Sequence, residues 1–208
     1  MASEVKFKIL LPNAELIGRA KDEDIVTRYM RSDFLEYASN FVYYDTPGWD
    51  LCRNHYLLRV CTDGERRAAT LRVGRVEQQG LPGLYEGQGW LAYFTSPDTI
   101  VEEYTRRGAH TQFADYASRG PLAVRFGSFR KRSRVNLYLP DRTRVDFCLD
   151  DGVLTVDENK EPLRHMALTL SYGDRSTFTN YCTQLLEEFG LKADTLDLTE
   201  RALRLRRQ

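Results

Sequence analysis

The sequence has no excess of charge of either sign, because 30 lysines and arginines are matched by 30 aspartates and glutamates across 208 residues. A neutral chain lacks the positive field that attracts nucleic acid or an anionic membrane surface, so we expect neither as a general partner. The apolar runs are too short to span a bilayer, and the first residues, MASEVKFK, lack the apolar core of a secretory signal. The composition therefore predicts a soluble cytoplasmic protein.

Cysteines are few and lack the spacing of a metal site or a disulfide framework. The four cysteines, Cys52, Cys61, Cys148 and Cys182, form no CxxC pair and fall in strand-like or helical patterns. We expect free thiols in a reducing compartment and no zinc site. The chain also lacks internal repeats, low-complexity tracts and linkers, so residues 1–208 are predicted to form one domain.

Two-residue alternation of polar and apolar side chains dominates the chain and predicts seven to nine strands in successive hairpins. The predicted strands lie at 4–10, 34–45, 55–61, 67–74, 84–94, 162–171 and in a hairpin over 129–150. Hairpin turns are expected at Asp63-Gly64 and Leu139-Pro140-Asp141. The predicted helices lie at 21–31, from a Ser96 cap to Gly108, at 110–118, at 178–189, and at 196–206 with an Asp197/Glu200 capping pair.

The hairpin over 129–150 carries an unusual concentration of charge on one face. Side chains two apart share a face of a strand, which sets Arg130, Arg132 and Arg134 beside Asp146 and Asp150. Three arginines on one strand repel each other unless a phosphate-rich ligand, neighbouring carboxylates or water reduces the repulsion. Taken alone, the pattern favours a solvated charged face.

Several other predicted strands also have one charged and one apolar face. This suits a closed antiparallel β-barrel whose lumen is polar and whose apolar outer surface is covered by helices. The sequence therefore predicts an α+β fold of this kind.

In that context, the segments Tyr43-Tyr44-Asp45-Thr46-Pro47 and Leu57-Leu58-Arg59-Val60 resemble the CYTH family, the triphosphate tunnel metalloenzymes. The resemblance runs from Glu4 to Arg201 and so covers nearly the whole chain. It implies a relationship to thiamine triphosphatases, inorganic triphosphatases and class IV adenylate cyclases. A small-molecule triphosphate is the implied ligand, and Mg²⁺ or Mn²⁺ the implied cofactor. Whether the barrel forms a homodimer stays open.

The resemblance implies roles for individual side chains in the lumen. Glu4 and Asp146 would be catalytic, and Glu4, Glu86 and Asp146 would hold the metal. The phosphate-binding residues would be Lys6, Lys8, Arg59, Arg72, Arg130, Arg132 and Arg134. Guanidinium groups suit this role because their planar forks grip phosphate at two points.

The chain departs from the family pattern mainly in its acids. Lys6 stands where the family's opening strand has its second glutamate, and the strand that usually carries three carboxylates has His165, Ala167 and Thr169 instead. Cys61 likewise replaces the second arginine of an R-x-R strand. The sequence thus retains the residues that would bind phosphate better than those that would hold metal.

Two functions follow from these observations. The first is a metal-dependent phosphohydrolase acting on an inorganic or organic triphosphate. The second is a diverged barrel that binds a polyphosphate or nucleotide without cleaving it. Adenylate cyclase activity would rest on kinship alone, and a shared fold does not fix a function.

Overall fold

The architecture is an antiparallel barrel, seen in a computed structural model that describes residues 2–62, 67–76 and 81–208. The strands of the described chain are β1 (Ala2–Leu10), β2 (Leu35–Asp45), β3 (Tyr56–Cys61), β4 (Ala68–Val76), β5 (Leu84–Tyr93), β6 (Ala123–Tyr138), β7 (Arg144–Val156), β8 (Asn159–Pro162) and β9 (His165–Tyr172). The helices are α1 (Glu15–Asp22), α2 (Asp24–Thr27), α3 (Asp50–Arg53), α4 (Pro97–Arg106), α5 (Thr111–Ala117), α6 (Arg175–Phe189) and α7 (Leu198–Leu205). The expected turn at Asp63-Gly64 falls outside the described residues.

Eight of the strands close into a ring. Their order is β6-β2-β3-β4-β5-β1-β9-β7, and β7 pairs back onto β6, while β8 extends β7 beyond the ring. All the pairings are antiparallel. The predicted α+β fold, a closed antiparallel barrel with helices outside it, is confirmed.

Apolar side chains on the outer face of the barrel explain why helices cover it. One core cluster joins the outward residues of β1, β6, β7 and β9, such as Phe7 and Phe147, to α6 through Phe178 and Leu185. A second cluster joins β3, β4 and β5 to α4 and α5. Burial of this apolar surface is the main force that holds each helix on the wall. No helix of the described residues is long and apolar enough to cross a membrane.

The YYDTP segment organises a sharp bend after β2. Asp45 is fully buried, and its carboxylate accepts hydrogen bonds from the backbone N–H groups of Thr46 (2.7 Å), Leu51 (2.9 Å) and Cys52 (2.9 Å). These bonds satisfy the first turn of α3, whose own N-terminal N–H groups have no partner within the helix. The role of Asp45 here is therefore structural.

Helix α7 lies across one end of the barrel. Asp197 and Glu200 form the predicted capping box at its start. Its apolar face, with Leu198, Ala202 and Leu205, packs against the ends of β6, β7 and the β8–β9 connection. The segment before it pairs with the end of β1, where Asp194 N–H donates to the Lys8 carbonyl at 2.8 Å.

The helix predicted over 21–31 is wrong in its bounds. The structure has α1 before it and the short α2 within it, separated at Glu23, whose ψ of 135° is extended. The apolar residues at helical spacing, Ile25 and Val26, are buried in the core, but the helix around them ends at Thr27. Strand β8 and helices α1 and α3 were not predicted from the sequence.

Candidate functional site

Alternate residues of the strands place a polar layer inside the barrel. Because successive side chains of a strand point to opposite faces, the charged set predicted from the sequence and the apolar core fall on opposite sides of the same wall. The lumen holds a cavity of about 200 Å³. Its charged lining residues are Glu4, Lys6, Lys8, Arg59, Arg72, Arg130, Arg132, Asp146, Asp150 and Arg201.

Two arginines of the β6–β7 hairpin are neutralised by carboxylates opposite them. Arg132 is in register with Asp150 and binds it at two points, Nε to Oδ1 at 2.6 Å and an NH group to Oδ2 at 2.7 Å. Arg134 donates to Asp146 at 2.7 Å and is nearly half exposed. Neighbouring carboxylates, one of the three explanations left open by the sequence, thus account for these two side chains.

Three other arginines of the strands, like Arg201 of α7, have a buried hydrogen-bond donor without a partner among the described residues. The Nε groups of Arg59, Arg72 and Arg130 are buried and lack a hydrogen-bond partner. Arg130 donates to the Tyr43 hydroxyl at 3.1 Å and is 4.0 Å from Asp150. Buried donors of this kind are costly unless a ligand or water binds them.

Among the arginines that line the cavity, Arg59 is the one least compensated by acids. Its guanidinium carbon lies 4.6 Å from the centroid of the Phe41 ring, a cation–π contact, and the described chain gives it no ion pair with a carboxylate. Burial first, and then the charge of Arg72, lower the pKa of Arg59 below its usual range. Burial and a neighbouring cation both disfavour the charged form of Arg59, and an anion bound beside it would offset them.

Glu4 is engaged by two cations of the lumen. Lys6 Nζ forms an ion pair with Glu4 Oε2, and an Arg72 NH group lies 3.5 Å from Glu4 Oε1. Burial raises the pKa of Glu4, but Arg72 and Lys6 outweigh it and leave that pKa below its usual value. The carboxylate is therefore ionised and already bound.

The two lysines of β1 experience the same crowding of positive charge. Burial, followed by the charge of Arg72, lowers the pKa of Lys6 to about 7. Burial and Arg130 lower the pKa of Lys8 to about 8. Seven cationic side chains face three carboxylates around the described cavity, so the lumen is locally basic in a chain of zero net charge.

The three carboxylates expected to hold a metal do not come together. Glu86 lies on β5 four residues before Trp90, so both side chains are on the outer face of the strand. Glu86 forms an ion pair with Arg175 of α6, outside the barrel. Asp146 and Glu4 each bind a cation, as described above. No group of three or more His, Cys, Asp or Glu side chains in the described chain is arranged to hold a metal ion. This donor set does not fit the divalent cation that the resemblance implies.

A buried ionic network lies at the α7 end of the lumen. His165 Nε2 lies 2.8 Å from Asp194 Oδ2, and Arg201 binds both Asp194, at 2.5 Å, and Glu161. Burial raises the pKa of Asp194, but His165 and Arg201 outweigh it and hold that pKa at about 2. His165 itself is 8% exposed in its side chain, and burial lowers its pKa.

Sequence reasoning assigned no role to Asp194 and Arg201. Arg201 is only the last residue of the family resemblance, and Asp194 lies in a connection without periodicity. The sequence around Asp194 does not indicate its position in the site, because Asp194 reaches His165 and Lys8 only through the pairing of residues 192–194 with the end of β1.

A smaller cavity of about 80 Å³ continues from the lumen between α7 and strands β3 to β5. Lys6, Lys8 and Arg72 line both cavities. On its far side His55 Nδ1 lies 3.0 Å from Asp197 Oδ2. Tyr85 also lines this cavity, and its hydroxyl lies so close to Gly74 and Gly87 that a Cβ at either glycine would be 2.5–2.6 Å from it.

Solved structures match this barrel along almost the whole chain. A candidate adenylate cyclase from Bacillus halodurans is 16% identical over 97% of this chain and 98% of its own, with a TM-score of 0.57. The PH1819 protein from Pyrococcus horikoshii is 12% identical over 99% of both chains, with a TM-score of 0.54. HpAC1 from Hippeastrum, a candidate adenylyl cyclase with a dominant triphosphatase activity, is 11% identical over 98% of this chain and 94% of its own, with a TM-score of 0.53. No protein-family model and no curated protein sequence matches the chain.

Proposed function

From the CYTH, or triphosphate tunnel, fold that the chain shares with these structures, we propose that its lumen binds a triphosphate-containing small molecule. The observation that carries the proposal is the set of buried Nε groups on Arg59, Arg72 and Arg130, which lack partners in the described chain. A ligand rich in anionic oxygens supplies the acceptors that these donors need.

Phosphate chemistry matches this arrangement better than other anions do. Arginine binds a phosphate through two parallel hydrogen bonds, and such charge-assisted bonds are about twice as strong as neutral ones. Three arginines on different strands, β3, β4 and β6, surround one cavity. They can hold successive phosphate groups of a chain, whereas a single carboxylate would satisfy only one of them.

The size of the lumen also supports a compact ligand. The cavity of about 200 Å³ is smaller than the roughly 300 Å³ at which pockets for drug-sized molecules begin. A phosphate chain can occupy it fully, and a larger organic group would extend beyond it.

Metal-dependent hydrolysis is the second candidate function. The shared fold with HpAC1, whose dominant activity is that of a triphosphatase, favours it. Hydrolysis of a triphosphate needs charge neutralisation and an oriented water. The lumen cations answer the first need, whereas the carboxylates expected to hold the metal, Glu4 and Asp146, are bound to cations of the chain. The geometry therefore supports binding more strongly than hydrolysis.

A cytoplasmic location belongs to the same proposal. Cys52, Cys148 and Cys182 are buried free thiols. Thiols persist in a reducing compartment, where triphosphates are also abundant. Localisation of a tagged full-length chain by fluorescence microscopy tests this, and a signal confined to a secretory compartment would contradict it.

Titration calorimetry with tripolyphosphate and with ATP tests the binding proposal directly. We expect saturable binding that weakens with added salt, because charge attraction is screened. Arg130→Met should reduce the affinity at least tenfold. Arg164→Met is the matched control, since Arg164 pairs with Asp151 at 2.8 Å and does not line the cavity.

The outcomes separate the two candidate functions. If neither anion binds, or if Arg130→Met and Arg164→Met behave alike, the lumen is not a triphosphate site. Release of phosphate from tripolyphosphate with Mg²⁺ or Mn²⁺, lost in Arg130→Met, would establish hydrolysis. Binding without such release would establish a binding protein.

A further inference from the structure

The lysine at position 6 stands inside the candidate site rather than on its edge. Its side chain is 15% exposed and lines both the lumen and the smaller cavity behind it. On β1 it shares the inward face with Glu4 and Lys8, which are two residues away on either side. Its ammonium group is held by Glu4 Oε2.

Each carboxylate that the described chain places in the wall around this ammonium group already pairs with a cation of the protein. The β9 residue in register with Lys6 is Thr169, and the one beside Lys8 is Ala167. Magnesium is usually held by one or two carboxylates together with phosphate oxygens and water. Glu4, the carboxylate nearest in sequence, has both oxygens facing cations, Lys6 and Arg72. A divalent ion placed there would displace one cation and be repelled by the other.

We propose that the Lys6 ammonium replaces the divalent cation, so that the lumen takes the triphosphate in its metal-free form. This inference rests on the proposed function. An ammonium group has three hydrogen-bond donors and carries its charge at a point, which allows it to bridge oxygens of neighbouring phosphate groups. Glu4 acts as the positioning residue that holds it in the cavity.

If Lys6 takes the place of the metal ion, Mg²⁺ should weaken the binding of triphosphate. In solution, Mg²⁺ coordinates the oxygens of a triphosphate and reduces its charge. If the site is built for uncomplexed oxygens, Mg²⁺ withdraws ligand from it and competes with binding. If instead the site held a metal ion, Mg²⁺ would strengthen binding.

Calorimetric titration of the full chain with tripolyphosphate, in EDTA and in excess Mg²⁺, tests the inference. We expect the wild-type chain to bind at least tenfold more tightly in EDTA. Lys6→Met should lose at least tenfold in affinity in EDTA, and Lys6→Glu should bind tripolyphosphate only when Mg²⁺ is present. Lys131→Glu is the matched control, because Lys131 is exposed on β6 and does not line the cavity.

Electron paramagnetic resonance of Mn²⁺ gives a readout that is independent of affinity for phosphate. Without tripolyphosphate, which itself coordinates divalent ions, we expect Lys6→Glu to bind Mn²⁺ and the wild-type chain to leave it free. Thermal melts establish that each variant is folded. Lys6→Met keeps the test decisive if Lys6→Glu fails to fold.

Failure of the inference can be distinguished from failure of the proposed function. Wild-type binding that requires Mg²⁺, or a Lys6→Met variant that binds as tightly as wild type in EDTA, overturns the inference and leaves triphosphate binding intact. Absence of tripolyphosphate binding in both conditions overturns both.

Discussion

Replacing Arg59 with methionine should make the chain more stable and a poorer binder of triphosphate. Arg59 has a buried Nε without a partner, a ring contact with Phe41, and no carboxylate within ion-pair distance in the described chain. Methionine keeps an unbranched apolar stem of similar length and adapts to irregular space. The substitution therefore removes the charge while leaving most of the packing in place.

The two effects can be given magnitudes. A poorly compensated buried charge costs several kcal/mol, and replacing buried ionic groups by apolar ones stabilises proteins by about 1–4 kcal/mol. Loss of the cation–π contact offsets about 1 kcal/mol of this gain. The net gain is then up to about 3 kcal/mol, and at roughly 2–4 °C per kcal/mol for a chain of this length we expect Tm to rise by up to about 12 °C. A hydrogen bond to a charged group contributes about 1.5–3 kcal/mol, so the Kd should rise about 10- to 100-fold.

Differential scanning calorimetry gives Tm without ligand, and titration calorimetry with tripolyphosphate gives the Kd. Arg164→Met is again the control, because a partly exposed ion pair such as Arg164–Asp151 contributes about 1 kcal/mol and lies outside the lumen. A lower Tm for Arg59→Met combined with unchanged affinity would refute the reasoning. Arg59 would then be a structural residue, and its positive charge would be satisfied within the fold.

Three further predictions concern stability and pH. Asp194→Ala should cost about 3–5 kcal/mol in urea unfolding, because it leaves Arg201 and His165 without their shared partner; a loss under 1 kcal/mol would contradict this. The pKa of Asp194 is depressed to about 2 in the folded chain. Its contribution to the free energy of unfolding is therefore fully present above the unfolded carboxyl pKa of about 4 and should be lost as pH falls from about 4 to 2. Lys8 has a pKa lowered to about 8, so tripolyphosphate affinity should fall as pH rises through 8, and calorimetry at pH 7 and pH 9 should show a smaller difference for Lys8→Met. Asp45→Ala should lower the free energy of unfolding by about 3 kcal/mol, since three backbone N–H groups lose their acceptor. Binding of tripolyphosphate by the folded fraction should stay unchanged. Equal urea midpoints for variant and wild type would show that the bend does not depend on this carboxylate.

The barrel and its basic lumen were predictable because they depend on strand periodicity. In the β6–β7 hairpin, alternation sets Arg132 and Asp150 on one face, and the observed register makes them partners. The same rule places Glu4, Lys6 and Lys8 on one face of β1, and all three line the cavity. A period of two is a local property, so it can be recognised in a single sequence.

The predictions that were wrong or missing concern features that the periodicity of the sequence does not determine. Glu86 was expected in the lumen, but the register of β5 turns it outward to Arg175, and a shift of one residue is enough to reverse the face. The break between α1 and α2 depends on the extended backbone of Glu23. Asp194 joins the network at the end of the lumen only through long-range pairing with β1. Neither the break at Glu23 nor this pairing has a sequence signal of its own.

The two ends of the lumen differ, because helix α7 lies across only one of them. One end holds the buried His165–Asp194–Arg201 network and the apolar residues of α7, whereas the other end holds the half-exposed Arg134 beside Asp146. A phosphate chain inside would therefore have an inner terminus and an outer terminus in different surroundings, and its two orientations would differ in energy. Once a chain fills the cavity, additional phosphate groups project into solvent and gain few contacts. Affinity for linear polyphosphates should therefore stop increasing once the phosphate chain is long enough to fill the cavity.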